Sequence, residues 1–263
     1  MKKKQIIHKI KRYYKRLDET RMLVIPVCKV DNIHQFRVNY KKLKAFLHML
    51  AVQWPVGGLT IHGKLKNAYR ISGNIRNLQL QQIAFQSTRD KAGLEYLKML
   101  ETIIDETKKK LLRLLSKKLI QKSRNKNINA IRGTFRFKNY RKFSEKKLSN
   151  IYEILSSGSF SDTKLHEIRK GLKELFYTSS LFGDKHNDIP GQLKIQNTSH
   201  KELSEKLGDF QDQCNTIRLL LPDSYPRPSK QLVRWILQER KKHLNRKAKM
   251  RRLLITDLKM MLG

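Results

Sequence analysis

Apolar residues recur at helical spacing along most of the chain. Between positions 32 and 52 they follow one another in steps of three and four, which is the pattern of an α-helix with one buried face. The stripe comprises Phe36, Tyr40, Leu43, Leu47 and Leu50. Asp31 or Asn32 can cap the start of this helix, and Pro55 with Gly57 and Gly58 follows its end.

The same reasoning predicts helices along almost the whole chain. Glycine and proline are scarce, at 12 and 6 residues, and most of the remaining residues are good helix formers. We expect helices over 2–22, 32–52, 59–86, 89–122, 145–155, 161–183, 199–221 and 229–263. Residues 123–143 lack clean periodicity and read as a basic connector, and residues 184–198 read as a loop. The predicted fold class is all-α.

The net charge of the chain narrows the range of functions that the sequence allows. Lys and Arg number 58 against 22 Asp and Glu, a formal net charge of +36, so the folded chain is expected to hold a polyanion or a dense counterion cloud. With 39% hydrophobic residues it can still bury a core. The two cysteines, Cys28 and Cys214, suit a reducing compartment. The longest apolar run, 22–28, is too short to span a membrane, so we expect a soluble, cytoplasmic protein without membrane partners.

Two predicted helices carry the same basic pattern. His34, Arg37 and Lys41 match His166, Arg169 and Lys173 in spacing. Lys44 and His48 continue the first row in steps of three and four, so its five residues share one helix face, separate from the apolar stripe. The sequence therefore predicts helices with one buried face and one row of positive charge.

The helix after each of these repeats as well. Gly73 with Arg76 three residues later corresponds to Gly208 with Gln211. A glycine inside a helix costs about 1 kcal/mol relative to alanine, so two in equivalent places indicate that something lies very close to the backbone. We expect the histidine-bearing helix or its repeat-related twin to cross there.

These motifs together resemble the CHAD family, the conserved histidine α-helical domain. They are His-x-x-Arg-Val-x-x-Lys-Lys-Leu-Lys at 34–44, Gly-x-x-Arg-Asn at 73–77, His-x-x-Arg-Lys-x-x-Lys at 166–173 and Leu-Gly-x-x-Gln-Asp at 207–212. The resemblance implies two four-helix bundles related by a pseudo-two-fold axis, with a basic central groove that binds inorganic polyphosphate. It implies one domain over 1–263, with half-repeats at about 1–123 and 143–263 joined by a connector at 124–142.

The resemblance and the repeat together give a set of candidate binding residues. They are His34, Arg37, Lys41, Lys44, His48, Arg76, His166, Arg169, Lys170 and Lys173. Glu174 and Phe176 stand where basic residues are common in the family, and Asn77 stands where Asp is usual. We therefore expect the second half of the site either to be weaker or to use other cations.

Regularly spaced cations suit a linear polymer of phosphates, because it carries charge along its length but no bases to read. We see no Gly-rich phosphate loop, no HExxH pair and no acidic cluster for Mg²⁺, so we expect no metal, no cofactor and no catalysis.

Two alternative functions stay open. One is a nucleic-acid-binding protein, since a net charge of +36 attracts DNA or RNA non-specifically at low salt. The other is a metal-dependent phosphatase. The resemblance also suggests polyphosphate granules and polyphosphate-metabolising enzymes as partners.

Overall fold

The computed structural model describes residues 1–55, 58–182 and 198–259, with side chains from 201 onward in the last range. Within these ranges the chain forms nine α-helices, one 3-10 turn at Pro222–Ser224 and no strand. The helices are α1 Lys3–Val24, α2 Val30–Ala51, α3 Gly63–Phe85, α4 Lys91–Leu112, α5 Lys117–Asn129, α6 Phe137–Ser156, α7 Asp162–Ser179, α8 Thr198–Leu219 and α9 Lys230–Lys259. The all-α prediction is confirmed. The predicted loop at 184–198 lies outside the described residues except at Thr198, where α8 begins.

One predicted helix is in fact two. The expected helix 89–122 breaks after Leu112, and α5 begins at Lys117. The turn allows Leu111, Leu115 and Ile120 to enter the same hydrophobic core, which a straight helix would not permit. Neither glycine nor proline marks this turn, so the periodicity alone did not reveal it.

The segment predicted as an irregular connector is mostly helical. Of 124–142, the first part belongs to α5 and the last part to α6, leaving 130–136 between them. Asn127, which masked the periodicity, is fully buried and donates hydrogen bonds to the Tyr14 hydroxyl and to the carbonyls of Thr60 and Ser123. A buried polar residue is tolerated there because its amide nitrogen is paired, although its Oδ1 has no partner in the described residues. The division of the chain into two half-repeats stays a prediction.

Helix α1 is an integral part of the fold. Its apolar residues Ile6, Ile10, Tyr14 and Leu17 are buried against α2 and α5. The Tyr14 hydroxyl also shares a hydrogen bond with Ser123 at 2.7 Å. Burying four large side chains on one face is worth several kcal/mol, which fixes α1 beside α2.

Helix contacts follow the same scheme in the two parts of the chain. α1 contacts α2 as α6 contacts α7, α2 contacts α3 as α7 contacts α8, and α3 contacts α4 as α8 contacts α9. Cross-contacts join α2 to α7, α3 to α8 and α4 to α9. Buried apolar residues form three clusters rather than two, and the third joins α3, α4 and α9. The two-bundle arrangement with its pseudo-two-fold axis stays a prediction.

The helices also settle one point about membranes. In the ranges that the structure describes, no helix combines the length and the apolar character needed to cross a bilayer.

Candidate functional site

Arg37 joins α2 to α3 at the point where Gly73 lacks a side chain. Its Nη1 donates hydrogen bonds to the Tyr69 carbonyl at 2.7 Å and to the Ser72 hydroxyl at 3.3 Å, and its guanidinium lies 4.5 Å from the centroid of the Tyr69 ring. A Cβ at Gly73 would lie 2.5 Å from the same nitrogen. The expected close approach at this glycine is therefore confirmed. It is made by the side chain of Arg37 on the histidine-bearing helix.

The equivalent pair in the second part of the chain is looser. Arg169 on α7 lies beside Gly208 on α8, and a Cβ there would be 3.6 Å from its Nε and Nη2. That distance is ordinary van der Waals contact. The repeat thus predicts the same pairing of an arginine with a glycine, but only the first copy makes the glycine essential for space.

Cations from α2 and α7 converge where these helices cross. Burial, together with Arg37 on its own helix and Arg169 and Lys173 on α7, lowers the pKa of Lys41 to about 8, against the opposing effect of Asp212 on α8. Burial likewise lowers the pKa of Lys173, with Arg169 adding to the effect. A protonated lysine is disfavoured where like charges lie close and water is scarce. Arg37 and Lys41 of the first row and Arg169 and Lys173 of the second therefore share one region.

The two histidines border this region, and its cations disfavour their protonated forms. Burial, Arg76 and Lys41 lower the pKa of His34, and Asp31 opposes them. Burial, Lys170 and Arg169 lower the pKa of His166, and Lys41 on α2 contributes as well. Lys41 thus acts on both histidines, which places both ends of the repeat around one centre.

Three nitrogens of this region are buried without a hydrogen-bond acceptor. Among the residues that the structure describes, Arg76 Nη1, His166 Nδ1 and Arg169 Nε each have no partner. They come from α3 and α7, both of which contact α2. Leaving a buried polar group unpaired costs about 1–3 kcal/mol each, so the fold retains groups that an incoming anion would satisfy. We call Arg37, Lys41, Arg76, Arg169 and Lys173, with His34 and His166, the central cation group.

An acid that the sequence did not single out as a site residue stands beside this group. Asp212 on α8 is exposed as a residue. Desolvation nevertheless raises its pKa, while Arg169 lowers it and Asp209 raises it further. In the described part of the chain it forms no ion pair or hydrogen bond, so it offsets the central charge without occupying the arginines. Its place in the Leu-Gly-x-x-Gln-Asp motif was the signal available in the sequence.

The remaining predicted residues lie elsewhere. Lys44, His48 and Lys170 line a separate cavity of about 290 Å³ bounded by α2, α6 and α7. There Glu174 forms an ion pair with Lys147 Nζ at 2.8 Å, and its other carboxylate oxygen lies 3.2 Å from His48 Nδ1. The single row predicted on α2 therefore divides, because packing against α6 and α7 brings a carboxylate to its far end. His48 is engaged with that carboxylate rather than with the central cation group.

Part of the basic α9 helix is also paired internally. Lys247 and Arg251 both donate to the Asp162 carboxylate at the start of α7. These hydrogen bonds lower the pKa of Asp162 against the opposing effect of burial. These two cations therefore anchor α9 to α7.

The described residues contain no cluster of three or more His, Cys, Asp or Glu side chains placed to hold a metal ion.

Substituting the two repeated glycines by alanine should have opposite effects on stability. Gly208→Ala is expected to raise the free energy of unfolding by about 1 kcal/mol through helix propensity, since its Cβ fits. Gly73→Ala should gain nothing or lose stability, because the new Cβ displaces Arg37 from the Tyr69 carbonyl. Urea denaturation measures both. In an Arg37→Ala background, Gly73→Ala should give the same increase in the free energy of unfolding as Gly208→Ala. An equal increase for both glycine substitutions in the wild-type protein would contradict the contact between Arg37 and Gly73.

Glu174 should make stability depend on pH in the acid range. Its side chain is 17% exposed. Hydrogen bonds from His48 and Lys147 hold its pKa at about 2, below the ordinary 4.5, against desolvation. A depressed carboxyl pKa adds stability above the unfolded value, and that stability is lost as pH falls toward the folded one. Glu174→Gln should therefore lower the free energy of unfolding by about 3 kcal/mol at neutral pH, with the difference fading below about pH 4.5.

The matched control for this measurement is Glu167→Gln. Glu167 lines the same cavity, and its one ion pair among the described residues is an exposed contact with Lys164 at 4.0 Å. Such pairs contribute little to stability, so this variant should behave as wild type. A Glu174→Gln variant as stable as Glu167→Gln at neutral pH would show that the Glu174 contacts carry no net stabilisation.

Comparison with known proteins gives one match. The CHAD domain family matches residues 10–221, which takes in α2, α3, α7 and α8 and with them the whole central cation group. Neither the curated proteins nor the solved structures contain a match. Because the family match covers most of the sequence and all of the repeated motifs, the chain belongs to the CHAD family.

Proposed function

We propose that this protein binds inorganic polyphosphate in the groove formed by α2, α3, α7 and α8, without catalysing its turnover. The observation that carries the proposal is the set of buried nitrogens without acceptors on Arg76, His166 and Arg169. They belong to the same group as Arg37 and Lys41, which have few acids nearby. Membership of the CHAD family agrees with this ligand.

The chemistry of the groove suits a chain of phosphates. Arginine can donate two hydrogen bonds to one phosphate, and a lysine contributes a mobile point charge. Residues three or four apart on a helix lie about 5–6 Å from each other, so Arg37 and Lys41 can contact neighbouring phosphates. Much of the affinity would come from counterion release and would fall steeply with salt.

A bound polymer would also relieve the electrostatic repulsion between cations that is present in the free protein. Lys41 is held at a pKa of about 8 by burial and by neighbouring cations. A polyanion in the groove supplies the missing opposite charge, so it restores the protonated state of Lys41 and the histidines. Association with polyphosphate granules, and with enzymes that make or degrade the polymer, would follow from this binding.

The direct test removes one arginine from each histidine-bearing helix. Arg37→Ala with Arg169→Ala should weaken binding of long-chain polyphosphate by about 100-fold or more at moderate salt, since each loses a charge-assisted hydrogen bond. The matched control is Lys109→Ala with Lys110→Ala on the exposed side of α4, which removes equal charge and should cost only a fewfold. Circular dichroism checks that both variants keep their helices. Equal losses in the two variants would contradict the proposal.

The same preparations separate the alternatives. Polyphosphate should displace duplex DNA from the wild-type protein at moderate salt, and failure to do so would support a nucleic-acid-binding function driven by the net charge of +36. Release of inorganic phosphate from polyphosphate in the presence of Mg²⁺ or Mn²⁺ would support a phosphatase. We expect no release above the background of the Arg37→Ala, Arg169→Ala variant.

Binding should tighten as pH falls. The pKa values of His34, His166 and Lys41 are all lowered in the free protein, and a bound polyanion raises them again. Protons are therefore taken up on binding, and affinity should decrease from about pH 5.5 to 8 as the histidines lose protons, then further above about pH 8 as Lys41 does. Calorimetry at fixed ionic strength in buffers of different ionisation enthalpy measures this uptake.

Two variants assign the steps of this profile. His34→Gln with His166→Gln should flatten the acid part and leave the alkaline part. Asp212→Asn removes a nearby carboxyl whose pKa is raised by desolvation. Protonation of this carboxyl in acid removes a negative charge beside the polymer, so it also favours tighter binding at low pH. Affinity that stays constant across the whole range in the wild-type protein would show that these groups do not contact the polymer.

A further inference from the structure

A second basic cleft lies between α1 and α5, away from the central cation group. It is a cavity of about 650 Å³ that opens to solvent, more than twice the volume of the cavity beside Glu174. Six of its lining residues carry or can carry positive charge: His8, Lys11, Arg12, Lys15, Lys117 and Arg124. Asp18 is the one acid in the lining. No motif in the sequence marked this cleft.

Two rows of cations face each other across the cleft because of helix periodicity. On α1, His8, Lys11 and Lys15 follow in steps of three and four, and on α5, Lys117 and Arg124 lie seven apart, about two turns. Residues at these spacings share one helix face. The contact between α1 and α5 brings the two faces together, so the cation density comes from tertiary structure.

The cations of the cleft are not neutralised internally. Asp18 is engaged by the nearly buried Arg21 at 2.6 Å. Lys15 has only a 3.9 Å contact with the exposed Glu19. In the ranges where side chains are described, Lys11, Arg12, Lys117 and Arg124 form no ion pair with a carboxylate. Their charge is therefore available to an external anion.

The base of the cleft is fixed by hydrogen bonds and presents no exposed Phe, Tyr or Trp ring. Tyr14, 1% exposed, has its hydroxyl bonded to Ser123 and Asn127, which fixes α1 against α5. It is the one aromatic side chain in the lining. Binding of single-stranded nucleic acid usually combines a basic groove with exposed aromatic rings on which successive bases stack. The lining contains no exposed Phe, Tyr or Trp ring, so its chemistry favours a chain of phosphates.

We propose that the α1–α5 cleft is a second binding site for inorganic polyphosphate, contacted by long chains in addition to the central groove. The inference rests on the proposed function for the identity of the ligand. Two separate basic sites on one molecule allow a long chain to engage both, which raises its effective concentration at the second site. Long chains should therefore bind more tightly than short ones.

The test is a lysine-acetylation footprint of the full chain, read by mass spectrometry with and without long-chain polyphosphate. Lys11, Lys15 and Lys117 should be protected, while Lys98 and Lys109 on exposed positions of α4 should not. Equal protection at all five would mean general attraction to the charged surface and would overturn the inference. Protection of Lys41 without protection of the cleft lysines would overturn the inference and leave the proposed function standing. Protection of the cleft lysines without protection of Lys41 would support the inference and contradict binding in the central groove.

A charge-matched pair of variants gives the second readout. Lys11→Gln with Arg124→Gln should lower affinity for long-chain polyphosphate by about tenfold and reduce the slope of log affinity against log salt by about 1.4. Affinity for tripolyphosphate in the central groove should stay near the wild-type value. Lys98→Gln with Lys109→Gln removes the same charge from α4 and should change the long-chain affinity much less. Equal losses in both variants would overturn the inference.

Discussion

Repulsion between like charges at the crossing of α2 and α7 is the constraint on which the site depends. Arg37, Lys41 and Arg169 lie within electrostatic range of one another, and burial limits the water that could screen them. Such an arrangement is unfavourable in isolation. It is held by the apolar faces behind it, because the buried stripe of α2 and that of α7 fix the two backbones independently of the charges.

The fold uses its few acids in two distinct ways. At the edges, Glu174 and Asp162 form ion pairs with cations of neighbouring helices. These pairs stabilise the packing of the helices and make the paired cations unavailable to an external anion. At the centre, Asp212 stays at a distance and leaves the arginines available. The difference explains why one stretch of basic residues serves packing and another is open to an anion, although both look alike in the sequence.

Much of the site could be predicted because its signals are local. Residues three and four apart share a helix face in any tertiary structure, so the rows beginning at His34 and His166 were predictable from spacing alone. Gly73 predicted a close approach because a glycine inside a helix is costly. The resemblance to the CHAD family then joined these signals into one expected fold, and the family match confirms the family assignment.

What could not be predicted depends on contacts between distant residues. The pairing of His48 with Glu174 joins positions 126 apart and arises only once α6 and α7 pack beside α2. The buried Asn127 looked like a loop residue because its partners lie on other elements. The turn after Leu112 has no glycine or proline, so only the demand of the core for Leu115 and Ile120 sets its position.

The most direct measurement of the central claim is a crystal structure of the full chain with polyphosphate bound. The account predicts phosphates between α2 and α7, with oxygens accepting hydrogen bonds from Arg76 Nη1, Arg169 Nε and His166 Nδ1. Phosphates found only along the outer lysines of α4 and α9, with those three nitrogens still unpaired, would contradict it.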